Sequence, residues 1–178
     1  MKKAAILATV LLGLLPISTA WADVNTDKAV ALRKAISVAK IDFCDAEATL
    51  KNVLPIGGIT PTYLVKLHID GQRIDGECNR GSGTGDSMLV MVKKLNNQMV
   101  VTNHDLFAEF GNQAHQPNTR FVQKIILISP GVIRLITNEY ARNDGNCCPT
   151  LRYSYDVQLD GMRIIQKRFL GKGEPQWD

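Results

Sequence analysis

The strictest pattern in the sequence is the alternation of apolar and polar residues over 151–159. Leucine, tyrosine and valine occupy the odd positions, whereas arginine, serine, aspartate and glutamine occupy the even ones. A period of two turns one face of a strand towards a core and the other towards water. Asp160-Gly161 then predicts a tight turn into a return strand that ends near Leu170. The segment therefore predicts an antiparallel sheet with one buried face.

Further strand pairs are predicted wherever a turn signal separates two apolar runs. Three such turns are found: Asp70-Gly71 between 63–69 and 72–78, Asn96-Asn97 between 88–93 and 99–102, and Ser129-Pro130-Gly131 between 121–128 and 132–140. Successive strands joined by short turns favour a meander. We therefore predict one curved antiparallel sheet.

Helices are predicted only before the first strand. Apolar residues recur at three- and four-residue spacing over 26–41, which is the pattern of an amphipathic helix, and Thr26 can cap it. A second, shorter helix is predicted over about 45–54, with Pro55 and Gly57-Gly58 as its end. The fold class is thus α+β, with N-terminal helices packed on the sheet.

The N-terminus has the features of a secretory signal peptide. Lys2 and Lys3 precede an apolar run over 4–15, and Ala20-Trp21-Ala22 is a small-x-small cleavage motif. Cleavage between Ala22 and Asp23 would place the protein in the periplasm or outside the cell. The alternative is an uncleaved anchor, but the run is shorter than the roughly 20 residues that span a bilayer, so we do not expect an integral membrane protein. The predicted organisation is a signal peptide (1–22), a single domain (23–170) and a C-terminal tail (171–178).

The charge of the chain excludes one class of partner. The formal net charge is +4, and 21 Lys+Arg are set against 17 Asp+Glu. The basic residues are scattered, whereas a protein that follows a phosphate backbone carries them in a stripe. We therefore expect no nucleic-acid partner.

Four cysteines are present: Cys44, Cys78, Cys147 and Cys148. An even number in an exported chain predicts two disulfides, and four cysteines allow three pairings. A bond between the adjacent pair closes an eight-membered ring, so we expect each of these two cysteines to bond a separate distant partner. The alternative is a redox or copper site, because a vicinal disulfide can act as a switch and paired thiolates suit soft metals.

A glycine-rich loop and nearby acidic residues offer two candidate sites. The loop is predicted to bind a partner and consists of Gly81, Ser82, Gly83, Thr84 and Gly85. Three acidic residues and an asparagine are a candidate Ca²⁺ site, because their spacing partly matches that of an EF-hand. The residues are Asp75, Glu77, Asn79 and Asp86. Position 6 of that loop is Arg80 where glycine is needed for the turn.

The three histidines do not match any catalytic or zinc motif. His68, His104 and His115 lack the spacing that would place two imidazoles on one helical face. His68 also opposes the apolar alternation of its strand, so we expect it to be exposed. No catalytic residue is therefore predicted.

The order of motifs over 81–170 resembles a family of uncharacterised secreted bacterial proteins. The matching pieces are the Gly-Ser-Gly-Thr before a strand, the Asn-Asn turn, Arg120-Phe121-Val122, and the run Asn-Asp-Gly-Asn-Cys-Cys-Pro-Thr over 143–150. A more distant similarity is to the LppP/LprE lipoproteins. The resemblance implies an exported antiparallel-sheet domain and supplies no mechanism.

These observations predict an exported, disulfide-stabilised protein that acts by binding and has no catalytic activity or cofactor. The expected partner is another envelope protein or a cell-wall component. A periplasmic metal-binding protein for Ca²⁺, Cu²⁺ or Zn²⁺ is the alternative, and a hydrolase is the weakest hypothesis.

Overall fold

A computed structural model gives the structure of the protein and describes residues 19–79, 85–111, 113 and 115–174. The single α-helix among these residues is α1 (Thr19–Asp42). It contains the helix predicted over 26–41. Three alanines at four-residue spacing, Ala31, Ala35 and Ala39, are fully buried and form its contact face.

Ten strands of the described residues form two antiparallel sheets. The first sheet holds β1 (Phe43–Glu47), β2 (Val53–Pro55), β3 (Thr62–Ile74), β4 (Glu77–Asn79), β5 (Asp86–Leu95) and β6 (Gln98–Asn103). The second sheet is a meander of β7 (Val122–Ser129), β8 (Val132–Glu139), β9 (Leu151–Gln158) and β10 (Arg163–Lys172).

The described residues form three layers in the order helix, first sheet, second sheet. One core lies between the alanine face of α1 and side chains of the first sheet that include Val65, Leu67 and Val90. The other lies between the two sheets, where Leu64 and Leu89 meet apolar side chains of β7, β8 and β9. Successive residues of β3 thus enter opposite cores, as the pleat of a strand requires.

β3 is the centre of the first sheet, and two strands flank each of its edges. β1 and β2 pair with its two halves on one edge, with Glu47 opposite His68 and Val53 opposite Val65. On the other edge β5 pairs along 62–69 and β4 pairs along 72–74. Both edges are therefore interrupted part-way along β3.

Most of the predicted turns are confirmed. Asn96 and Asn97 adopt φ values of 48° and 62° between β5 and β6, and this left-handed conformation is one that asparagine tolerates. Gly131 lies between β7 and β8, and Gly161 lies in a short 3₁₀ helix between β9 and β10.

Three predictions of the fold are wrong. The segment 45–54 is no helix: it forms β1, a 3₁₀ turn (Leu50–Asn52) and β2, because pairing with β3 outweighs the local helical spacing. The chain does not reverse at Asp70-Gly71 but continues to Ile74, and the turn lies at Asp75-Gly76. The strands form two stacked sheets where one was expected.

The helices of the described residues include no candidate membrane span. Residues 1–18 of the predicted signal peptide lie outside the described residues, and α1 runs through the predicted cleavage position. β10 extends two residues into the predicted tail, as far as Lys172.

Candidate functional site

A cleft opens where the edge of the first sheet is interrupted between β1 and β2. After Glu47 the chain leaves the sheet through residues 48–52 and returns at Val53. The gap forms a cleft of about 630 Å³ beside the C-terminal half of α1. That volume lies in the range of small-molecule sites, roughly 300–1,000 Å³.

The lining of the cleft is mixed. Apolar walls come from Ile36, Ala46 and Ala48, and polar groups come from α1, the edge segment, β3 and β5: Lys40, Glu47, Thr49, Asn52, Lys66, His68 and Ser87. Lys40, Glu47 and His68 are exposed. Both signs of charge are therefore available to a ligand at the rim.

Three of these polar residues are direct neighbours across three strands. His68 on β3 pairs with Glu47 on β1 and with Ser87 on β5. Paired residues of antiparallel strands have Cβ atoms about 4.5–5.5 Å apart, so the three side chains form a row on one face. Within the described residues no hydrogen bond links the three side chains, and the His68 ring packs against Gly85. The row offers a carboxylate, an imidazole and a hydroxyl for binding, without the bonded geometry of a nucleophile and its base.

Lys66 forms part of the cleft and joins the two sheets. Its Nζ donates to the carbonyl oxygens of Val122 (2.9 Å) and Gln123 (3.3 Å) at the start of β7. The ammonium group is thereby held in place at the junction of the two sheets.

A second candidate site is the loop between β8 and β9. Cys147 and Cys148 form a disulfide there, with Cα atoms 3.8 Å apart, and both residues are exposed. Cys148 N–H donates to the carbonyl oxygen of Gly145 (3.0 Å). The buried Pro149 anchors the end of the loop because its carbonyl accepts from Asn138 Nδ2 (2.9 Å).

Asp144 organises this loop. Its Oδ2 accepts from the backbone N–H of Ala141 and of Thr150, both at 2.7 Å, and the Thr150 hydroxyl lies 3.0 Å away. The N–H of Ala141 contributes most to lowering the pKa of Asp144, and the groups of Thr150 lower it further. The carboxylate therefore ties the two ends of the loop together.

The predicted pairing of each adjacent cysteine with a distant one is wrong. Cys44 and Cys78 form no disulfide within the described residues. They lie on strands that flank β3 on opposite edges, since Gln72 pairs with both β1 and β4. The Cys44 thiol is buried and donates to the carbonyl oxygen of Gln72 (3.5 Å). The vicinal bond is formed, so the geometric cost of an eight-membered ring did not prevent it.

The residues of the predicted Ca²⁺ site are spread along the first sheet. Asp75 lies in the turn after β3, Glu77 and Asn79 lie on β4, and Asp86 begins β5 opposite Ile69. Asp86 thus lies opposite the middle of β3, whereas Asp75 follows the end of that strand, about 20 Å further along an extended chain. The residues that the structure describes include no group of three or more His, Cys, Asp or Glu that could hold a metal ion.

The other predicted site residues lie elsewhere. Residues 81–84 of the glycine-rich loop are outside the described residues, whereas Gly85 is half-buried beside His68. His68 is exposed, as expected, and His104 and His115 are also exposed but do not line the cleft. Glu47, Lys66 and Ser87 were not singled out from the sequence, because only the register of β1, β3 and β5 brings them together.

No family model, curated protein or solved structure matches the chain. The resemblance based on 81–170 stays a prediction.

Proposed function

We propose that this protein is exported and acts by binding, with the cleft between α1 and the interrupted sheet edge as its binding site. The main support for this proposal is the gap between β1 and β2, which forms a cleft of about 630 Å³ beside a row of polar side chains. The partner is a cell-wall component or an exposed segment of an envelope protein.

The charges at the rim favour a ligand that carries both signs. Lys40 can pair with a carboxylate and Glu47 with an ammonium group, while His68 and Ser87 offer further hydrogen bonds. Peptide stems of the cell wall and chain termini of proteins both present such groups. The apolar surfaces of Ile36 and Ala48 provide contact for small aliphatic side chains.

A titration with soluble peptidoglycan fragments tests the site. We expect amide shifts in the ¹⁵N-labelled protein that concentrate at residues 46–52, 66–68 and 87. Lys40→Glu should weaken binding by up to about fivefold, the effect of one exposed ion pair.

Lys34→Glu is the matched control, because Lys34 is an exposed lysine of the same helix and does not line the cleft. Equal losses in both variants, or shifts outside the cleft, would contradict the assignment of the site.

Export is tested separately by the mass of the protein recovered from the periplasm. We expect a chain that begins at Asp23. A full-length chain recovered from the cytoplasm would refute export while leaving the binding test intact.

A further inference from the structure

The vicinal disulfide contributes little as a crosslink. A disulfide stabilises a fold mainly by closing a loop in the unfolded chain, and its effect increases with the length of that loop. Cys147 and Cys148 are adjacent in sequence, so their bond joins no distant parts of the chain. The reason for the bond must therefore be sought in its chemistry.

The loop that carries the disulfide is held without it. Asp144 binds Ala141 and Thr150 at the two ends, and Tyr140 Oη donates to the carbonyl oxygen of Asn146. Asn138, which is fully buried, donates to Pro149. Because none of these bonds involves a sulfur atom, opening the disulfide leaves the contacts that position the loop in place.

Both cysteines are exposed, which is what exchange with a thiol requires. The attacking thiolate must reach a sulfur atom along the S–S axis, and burial blocks this approach. The remaining two cysteines are not bonded to each other: Cys44 is buried in the first sheet and Cys78 is exposed on β4. The described part of the chain thus presents one disulfide on its surface, placed in a preformed loop.

We propose that Cys147–Cys148 is a thiol–disulfide exchange site that accepts two electrons from a dithiol. A thiolate of the dithiol attacks one Sγ, the Cys147–Cys148 bond breaks, and the other cysteine leaves as a thiolate that takes up a proton. The second thiol of the dithiol then attacks the mixed disulfide. The dithiol is oxidised to a disulfide, and Cys147 and Cys148 are both released as thiols.

Dithiothreitol is the probe for the first experiment, followed by alkylation and peptide mapping of the full chain. Before reduction we expect native alkylation at Cys78 alone. After reduction Cys147 and Cys148 should become alkylated together, while the far-ultraviolet circular dichroism of the backbone keeps its native shape. Pretreating the reduced protein with phenylarsine oxide, which bridges neighbouring thiols, should block both positions.

The rate of reduction separates an exchange site from a structural disulfide. In native buffer it should be no less than about a tenth of the rate in denaturant, since the bond is already accessible. A much slower native rate would show that reduction needs unfolding and would overturn the proposal. The proposal would also be overturned if Cys147 and Cys148 were found as thiols before reduction, or if they were bonded to Cys44 or Cys78.

Two variants complete the test. The double variant Cys147→Ser/Cys148→Ser should shift the melting temperature by less than about 4 °C and abolish the consumption of dithiothreitol. Cys78→Ser is the control. It removes the alkylation seen before reduction and should leave the consumption of dithiothreitol unchanged. A larger loss of stability in the double variant would indicate a structural crosslink instead.

Discussion

At the scale of single residues, three aspartates respond to their surroundings in two different ways. The pKa of Asp144 is lowered chiefly by the N–H of Ala141, and the pKa of Asp156 is lowered chiefly by its paired hydrogen bonds with Arg134, at 2.6 and 2.8 Å. Burial instead raises the pKa of Asp105, and the N–H groups of Leu89 and Phe107 offset only part of that cost. Their contributions to stability therefore change with pH in opposite directions.

Asp144→Asn should lower the melting temperature at neutral pH. The folded pKa of Asp144 lies below its ordinary value of 3.8, so its stabilising effect is present above that value and is lost as the pH falls through the folded pKa. The melting temperatures of wild type and variant should therefore differ at about pH 7, and the difference should shrink towards about pH 2. A constant difference at both pH values would show that the charge is not responsible.

Asp105→Asn should raise the melting temperature at neutral pH. The amide oxygen can still accept from Leu89 and Phe107, while the variant carries no charge to desolvate. Because the folded pKa of Asp105 is raised, the wild type loses stability relative to the variant as the pH rises through it. Melts below pH 3.8 should show no advantage for the variant, and a gain that persists there would refute this explanation.

At the scale of elements, close contact between α1 and the first sheet depends on small residues. Ala31, Ala35 and Ala39 are fully buried where the helix crosses β3, β5 and β6. The short side chains allow the helix backbone to lie close to the sheet. This spacing in turn sets the position of Ile36 and Lys40 at the cleft.

Ala35→Leu should destabilise the protein by about 1–3 kcal/mol, the usual cost of overpacking a core. Ser37→Leu is the control, because Ser37 is exposed on the same helix and leucine favours helix at either position. Urea unfolding of both variants measures the difference. Equal stability of the two would mean that the helix can move away from the sheet without cost.

At the scale of the whole molecule, the two sheets are joined by an apolar core and by a half-buried lysine that bridges them. Lys66 of the first sheet donates to two backbone oxygens at the start of β7, next to residues that fill the core between the sheets. The same residue lines the cleft. Stacking of the sheets and formation of the cleft are therefore coupled through one side chain.

Lys66→Met should reduce the free energy of unfolding by about 1–3 kcal/mol, because the carbonyl groups of Val122 and Gln123 lose a donor. Methionine keeps most of the aliphatic stem, so the loss reports the ammonium contact. Lys93→Met on the neighbouring strand is the control. A loss of similar size in that variant would show that the effect is not specific to the contact between sheets.

Much of the local structure follows directly from the sequence. The alternation over 151–159 predicted β9, the three- and four-residue spacing of apolar residues over 26–41 predicted a helix that lies within α1, and Asn96-Asn97 predicted a turn, since each of these signals is contained in neighbouring residues. The exposure of His68 was predicted in the same way. The candidate cleft could not be predicted, because its polar row depends on the register of three strands that are distant in the chain.

The sequence by itself thus determined the α+β class, the antiparallel hairpins and the helix that covers a sheet. Only the tertiary structure decided that 43–55 forms edge strands, that the strands divide into two sheets, and that Cys147 bonds Cys148. The physical reason is the range of the interactions involved. The hydrophobic period and the turn residues depend on interactions between near neighbours in the chain. Strand pairing and the contacts that anchor a loop depend on residues that only the folded chain brings together.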